Sequence, residues 1–237
     1  MNPSTFFSLL HIPVSQDTST LPQTATIAQA LPNLPVPVHP SLIAVQCMKI
    51  REGNPDAFQR TARVLTASSF LCSLLAGKWV AMSEAEALAT GMWKPSGGGW
   101  DSSVLEIVAG GLEQGRRFAE LLGGGAEVFG GRNIGPIANY FVERYHFDKG
   151  GATQLFVAIW NLTRTVDAFL VPFTSDRLAA YLSVAPSPDE VVLSFGNQDT
   201  LMIPSMRYAP HSAYTLHPHP AQEPSESRRY IAMVTHR

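Results

Sequence analysis

Residues 169–204, FLVPFTSDRLAAYLSVAPSPDEVVLSFGNQDTLMIP, decide the fold class. Phe169–Phe173 is a short apolar run of branched and aromatic side chains, the composition of a strand. Leu178–Leu182 reads as a short helix, and Val191–Gly196 and Thr200–Pro204 return to strand composition. Further on, Arg229–Val234 (RYIAMV) reads as another strand. Strands interleaved with a helix predict an α/β protein. Gly196-Asn197-Gln198-Asp199 sits between two of the strands and is hairpin-turn chemistry, since Gly and Asn tolerate the positive φ that such turns demand. Thr174-Ser175-Asp176 falls where the first strand meets the helix. A carboxylate at that junction reads either as a general base projecting from a rigid edge or as an N-cap for the helix, and the local pattern leaves both readings open.

Upstream of this block the grammar is helical. Asn54-Pro55-Asp56 supplies a cap and an N1 proline, and the stretch from Ala57 to Gly77 predicts one helix, with Phe58, Ala62, Leu65, Cys72 and Leu75 as its apolar positions and Gly77 as its stop. Ser83-Glu84-Ala85-Glu86 has capping-box spacing, and Trp100-Asp101 precedes the helix VLEIVAGG. EQGRRFAELLGG and IANYFVERYHF predict two more helices. Three glycine clusters, at 97–99, 123–125 and 130–131, lack the Lys-Ser/Thr that follows a phosphate loop and read as connections.

The first 45 residues are rich in Pro, Ser and Thr without a sustained period, which predicts little order. A net charge of −2 gives no electrostatic footprint for nucleic acid or an anionic membrane. No apolar run reaches the roughly 20 residues that cross a bilayer, and Met1–Val14 lacks the basic start of a secretory signal. Cys47 and Cys72 lie in apolar stretches without CxxC spacing, as reduced thiols would, so the expected setting is the cytoplasm.

The order of segments from 46 to 236 resembles the FGGY carbohydrate kinases, the xylulose kinases in particular. The resemblance is carried by KIREGNPDAFQRTARVLTASSFLCSLLAGKW (49–79), TGMW (90–93), the helix led by Trp100-Asp101, IGPIANYFVERYHF (134–147), PFTSDRLAAYL (172–182), VVLSFGNQDTLMIP (191–204), HPHP (217–220) and RRYIAMV (228–234). It implies part of an actin-like ATPase, the ribonuclease H-like fold: residues 46–149 from the helical sugar-side domain, 150–168 an insertion, and 169–237 the strand-rich start of the second lobe. It also implies ATP and Mg²⁺ as cofactors, a sugar such as D-xylulose as substrate, and Asp176 as the catalytic base, in the place of the aspartate of the family segment FTGDN. Arg177 then stands where the family has a sugar-binding Asn. Gly196, Asn197 and Thr200 fall on the phosphate-binding segment that commonly reads SLGTSDTL, with Asn197 where Thr is usual.

Measured against that family, the DxGT phosphate loop and the glycine-rich adenine site have no counterpart between residues 1 and 237. A fragment of this kind is expected to leave apolar cleft surface uncovered and to self-associate. Two other readings compete with the enzyme. One is a non-catalytic remnant that binds a sugar, a nucleotide or a longer relative. The other is a metal site made of His211, His217 and His219 with Glu223 or Asp199, which the alternating HPHP disfavours because it does not set two imidazoles on one helix face. No metal ligand is assigned.

Overall fold

The computed structural model describes residues 9, 11–14, 17–34, 38–94, 98–123, 135–145, 176–184, 187, 189–196, 199–211, 213–222 and 226–236. In chain order the elements are α1 (Leu21–Ala30), α2 (Ile43–Gly53), α3 (Pro55–Arg60), α4 (Ala67–Ala76), α5 (Glu84–Ala89), β1 (Trp93–Lys94), β2 (Gly99–Trp100), α6 (Ser102–Ala109), α7 (Leu112–Leu121), α8 (Asn139–Tyr145), α9 (Asp176–Val184), β3 (Val192–Ser194), β4 (Asp199–Ser205), β5 (Thr215–Pro218) and β6 (Tyr230–His236). The protein is α/β, as its sequence predicts. The chain forms two compact units, Met1–Val64 with Ala87–Gly125, and Leu65–Glu86 with Ala126–Arg237. Residues 65–86 group with the strand-rich part. The 150–168 insertion and the strand expected at 169–173 lie outside the described residues.

In the first unit, α2 packs against α1 and α6, and α6 against α7. Ala44, Val45, Cys47 and Met48 of α2 are buried, and Val104, Leu105 and Val108 bury one side of α6. Asp101 caps α6, its carboxylate accepting from the Ser103 and Val104 amides at 3.0 and 3.4 Å. At the other end, the Arg51 guanidinium donates to the Ile107 and Val108 carbonyls at 2.9 and 2.8 Å, so a cation meets the negative end of the helix and satisfies carbonyls that have no partner within it. Gly110 ends α6 at φ 86°, and a Cβ there would come within 2.8 Å of Arg51 Nη1, so both the backbone and the arginine require glycine.

Two expectations from the sequence change. The first 45 residues predict little order, yet α1 lies among them with Ile27 fully buried. Polar groups of α2 hold this stretch. Gln46 Nε2 donates to the carbonyls of Asp17 and Pro40 at 3.1 and 3.2 Å, and Lys49 pairs with Asp17 at 3.0 Å. The second change is at 57–77, where one helix is expected and two are found. Asn54 does cap α3, accepting from the Ala57 amide at 3.2 Å, but Thr61 turns extended (ψ 128°). The Val64 amide then donates to Leu121 O at 2.9 Å instead of continuing a helix, and Thr66 caps α4, its hydroxyl accepting from the Ser69 amide at 3.1 Å. The three β-branched residues Thr61, Val64 and Thr66 are weak helix formers, and here tertiary and capping bonds outbid the helix. Gly77 ends α4 in the left-handed region, as expected.

The second unit is built on an antiparallel four-stranded sheet in the order β3-β4-β6-β5. Register is set by Leu193↔Leu201, Leu201↔Val234 and Leu216↔Ala232. Helix α9 covers one face: Leu178 and Tyr181 pack with Val192, Met202, Ile231, Met233 and Ala85 in one buried cluster. Strand β5 was not expected. Its Thr-Leu-His-Pro sequence reads as extended but not as a ladder, and Pro218 is tolerated because β5 is an edge strand. Pro204 is accommodated similarly, since β3 pairs with β4 only as far as Met202. Glu84, 7% exposed, is balanced by Arg228 at 2.6 Å, which ties α5 to the approach to β6. A second cluster joins Cys72, Leu75 and Val80 to Ile137 and Phe141 of α8.

Leu178 is 1% exposed in the α9–sheet cluster, so Leu178→Ala should cost about 2–5 kcal/mol. The urea midpoint of the second unit should drop with little change in slope, and a loss below 1 kcal/mol would mean that α9 does not rest on the sheet in this way.

Candidate active site

Asp176 is the first residue of α9 and is exposed. Its Oδ1 accepts the Arg177 amide at 2.9 Å, while among the described residues Oδ2 has no hydrogen-bond partner. One oxygen thus meets the backbone at the first turn of α9.

Arg177 turns back onto the sheet. Its Nη1 donates to Thr235 Oγ1 at 3.4 Å, and its charge reaches His217. Thr235 pairs across the ladder with Thr200, and Thr200 with Ser194, two residues before Gly196. This chain of contacts puts Asp176, Arg177, Thr200 and the Gly196 turn at one end of the same sheet. Asn197 and Gln198 lie outside the described residues.

At the turn, among the described residues, nothing lies within 4 Å of the position a Cβ would take at Gly196. The Gly196 amide donates to Asp199 Oδ1 at 3.4 Å, a contact that shapes the turn. Thr200 is 1% exposed, within the sheet.

The histidines occupy separate places. His211 stacks on Tyr214 with ring centroids 5.6 Å apart. His217 lies in β5 with Nε2 3.1 Å from Thr215 Oγ1, and His219 Nδ1 accepts the Ala221 amide at 3.3 Å. Among the described residues no three His, Cys, Asp or Glu side chains group as metal ligands, and Glu223 lies outside those residues. Burial, and then the nearby Arg177, push His217 down to about 4. Thr235 went unnoticed in the sequence because only the pairing of β4 with β6 brings it beside α9. The one signal available was its place at the end of a branched strand.

No family model matches the chain. In sequence it is 26% identical over 184 residues to the probable D-xylulose kinase A of Aspergillus terreus, covering 77% of this chain and 28% of that protein. The D-xylulose kinase A of Aspergillus niger gives 26% over the same length, with 77% and 29% covered. The chain thus spans less than a third of the length of these relatives. In structure it matches the xylulose kinase from Rhodospirillum rubrum with a TM-score of 0.68 at 14% identity, over 91% of this chain and 39% of that one. The glycerol kinase of Plasmodium falciparum, solved with ADP, gives 0.64 at 11%, over 90% and 37%.

The fold is that of the carbohydrate kinases. In sequence the chain resembles the fungal D-xylulose kinases, and the actin-like α/β architecture implied by its motifs is the one observed. Among the described residues no helix is long and apolar enough to cross a membrane.

A histidine whose folded pKa lies below its unfolded value of 6.5 contributes stability above pH 6.5 and loses it as pH falls towards 4. For His217 the loss is at most about 3 kcal/mol. The thermal midpoint should fall across that window, and His217→Leu should flatten the fall. An unchanged slope in the variant would place the imidazole in water.

Proposed function

We propose that the protein serves the ATP-dependent phosphorylation of a sugar, a ketopentose such as D-xylulose, in the cytoplasm. The observation that supports this reading is the shared sheet end, where among the described residues one Asp176 carboxylate oxygen has no hydrogen-bond partner and nothing lies within 4 Å of the position a Gly196 Cβ would take. In this reading Asp176 accepts the proton of the sugar hydroxyl as its oxygen bonds to phosphorus, which asks for a base within hydrogen-bond reach of the hydroxyl. The Asp176 oxygen already bound to the Arg177 amide fixes the direction of the free one. The Gly196 and Asn197 backbone would hold the nucleotide phosphates, and Mg²⁺ would supply charge neutralisation on them.

Arg177 takes a supporting part. Its guanidinium donates to Thr235 Oγ1 at 3.4 Å and its charge reaches His217, so it braces the start of α9. The similarity to D-xylulose kinases favours a ketopentose.

The test is ADP formation from MgATP with D-xylulose, glycerol or gluconate as acceptor. We expect turnover with D-xylulose, and a loss of about 10²–10⁴-fold in kcat in Asp176→Asn with little change in KM. ADP formation that ignores the sugar, or an Asp176→Asn variant with full turnover, would contradict the reading.

The sheet face opposite α9 bears Leu193, Ile203 and Val234, 60, 37 and 38% exposed, with Phe195 beyond them at 79%. We expect this apolar surface to drive self-association of the chain. Light scattering should report species above 25.7 kDa that return towards monomer in Leu193→Lys, and a monodisperse parent chain would refute it.

A further inference from the structure

Glu86 belongs to no site described above, yet it is 6% exposed and gathers an unusual set of donors. Its Oε1 accepts from the Ser68 hydroxyl and its Oε2 from Ser69 Oγ at 2.8 Å, while the one proton of the Thr66 hydroxyl is shared between Glu86 Oε1 at 3.1 Å and Ser69 Oγ at 2.9 Å. All three hydroxyls belong to the start of α4. The same side chain bonds the Ser83 backbone while Ser83 Oγ accepts the Glu86 amide at 3.2 Å, so the capping box of α5 is closed as its sequence predicts. One carboxylate thus serves two helix starts.

Among the described residues Glu86 has no ion pair, α4 carries no charged residue, and Glu84, the other carboxylate of α5, is engaged by Arg228 at 2.6 Å. Burial therefore pushes the carboxyl up to about 7, against the opposing pull of the Ser69, Thr66 and Ser83 hydrogen bonds.

We propose that Glu86 is a proton-operated catch, holding the start of α4 through the hydroxyls of its first turn when ionised and surrendering at least one of them when it carries a proton. The reason is a count of donors. An ionised carboxylate only accepts, whereas the neutral acid carries an O–H of its own that must point at an acceptor. One of the hydroxyls now donating to Glu86 must then turn and accept. Thr66 already accepts the Ser69 amide as the cap of α4, so the rearrangement is felt in that cap.

The sign of the linked stability follows. A carboxyl whose folded pKa exceeds its unfolded value of 4.5 favours the folded state most fully below pH 4.5, and that contribution is lost as pH rises through about 7. His217 and His219, held down to about 4, act with the opposite sign and are neutral in both states above about pH 7.

The decisive measurement is a pH titration of the Glu86 carboxyl ¹³C resonance and the Ser68–Phe70 amides in the full isotope-labelled chain, assigned through its own backbone. The expected result is one shared inflection near pH 7, moving upward in Ser69→Ala, which removes a donor to the anion. With Glu86→Gln the inflection of the α4 amides should vanish, and the thermal midpoint should stop falling between pH 6.5 and 8. A Glu86 inflection near 4.5, or α4 amides that ignore it, would overturn the proposal, and the parent titration decides the matter even if the glutamine variant does not fold.

Discussion

The packing of α9 on the sheet is the constraint from which the candidate active site follows. Leu178 and Tyr181 are buried against Met202, Ile231 and Met233, and this sets the roll and height of the helix. Once those side chains are seated, Asp176 has no choice of location. It stands at the first turn, over the end of the sheet where β4 meets β6 and where the β3–β4 connection begins. The contact of Arg177 with Thr235 is weak in itself, being long and partly exposed, but it reports the same placement. Apolar burial supplies the energy here, and the polar contacts supply direction.

Three charged groups elsewhere in the protein are met by donors or acceptors from distant segments. Arg51 of α2 closes the end of α6, Arg228 meets Glu84 of α5, and the hydroxyls of α4 meet Glu86. Each joins segments distant in sequence, so each makes one helix end depend on another element. Replacing either partner alone leaves a buried group unsatisfied, which costs more than the net worth of the pair.

Local signals were the legible part of the sequence. Asn54, Ser83, Asp101, Gly77 and Gly110 mark helix ends, because a cap is chemistry within three or four residues. The strands β3, β4 and β6 and the helix α9 were equally plain from composition. The break at 61–66 was not legible, since the competing partner of Val64 is the carbonyl of Leu121, far along the chain. Strand β5 and helix α1 were missed for the same kind of reason: an edge strand containing histidine and proline, and a helix in a proline-rich stretch, form because neighbours accept them. At the site, Asp176 and the Gly196 turn could be singled out from sequence. The commitment of Arg177 to the sheet could not, because Thr235 becomes its neighbour only after β4 and β6 pair.

The kinase reading requires that the Gly196 turn and the start of α9 form one ligand-binding end. The most direct measurement is an amide NMR titration of the chain with MgADP. The prediction is that the Gly196 amide and the Asp176 and Arg177 amides shift together along one saturable curve, while Tyr140 and Tyr145 of α8 stay still. Saturable binding that leaves Gly196 unmoved, or that shifts the turn and α9 with different affinities, would contradict it.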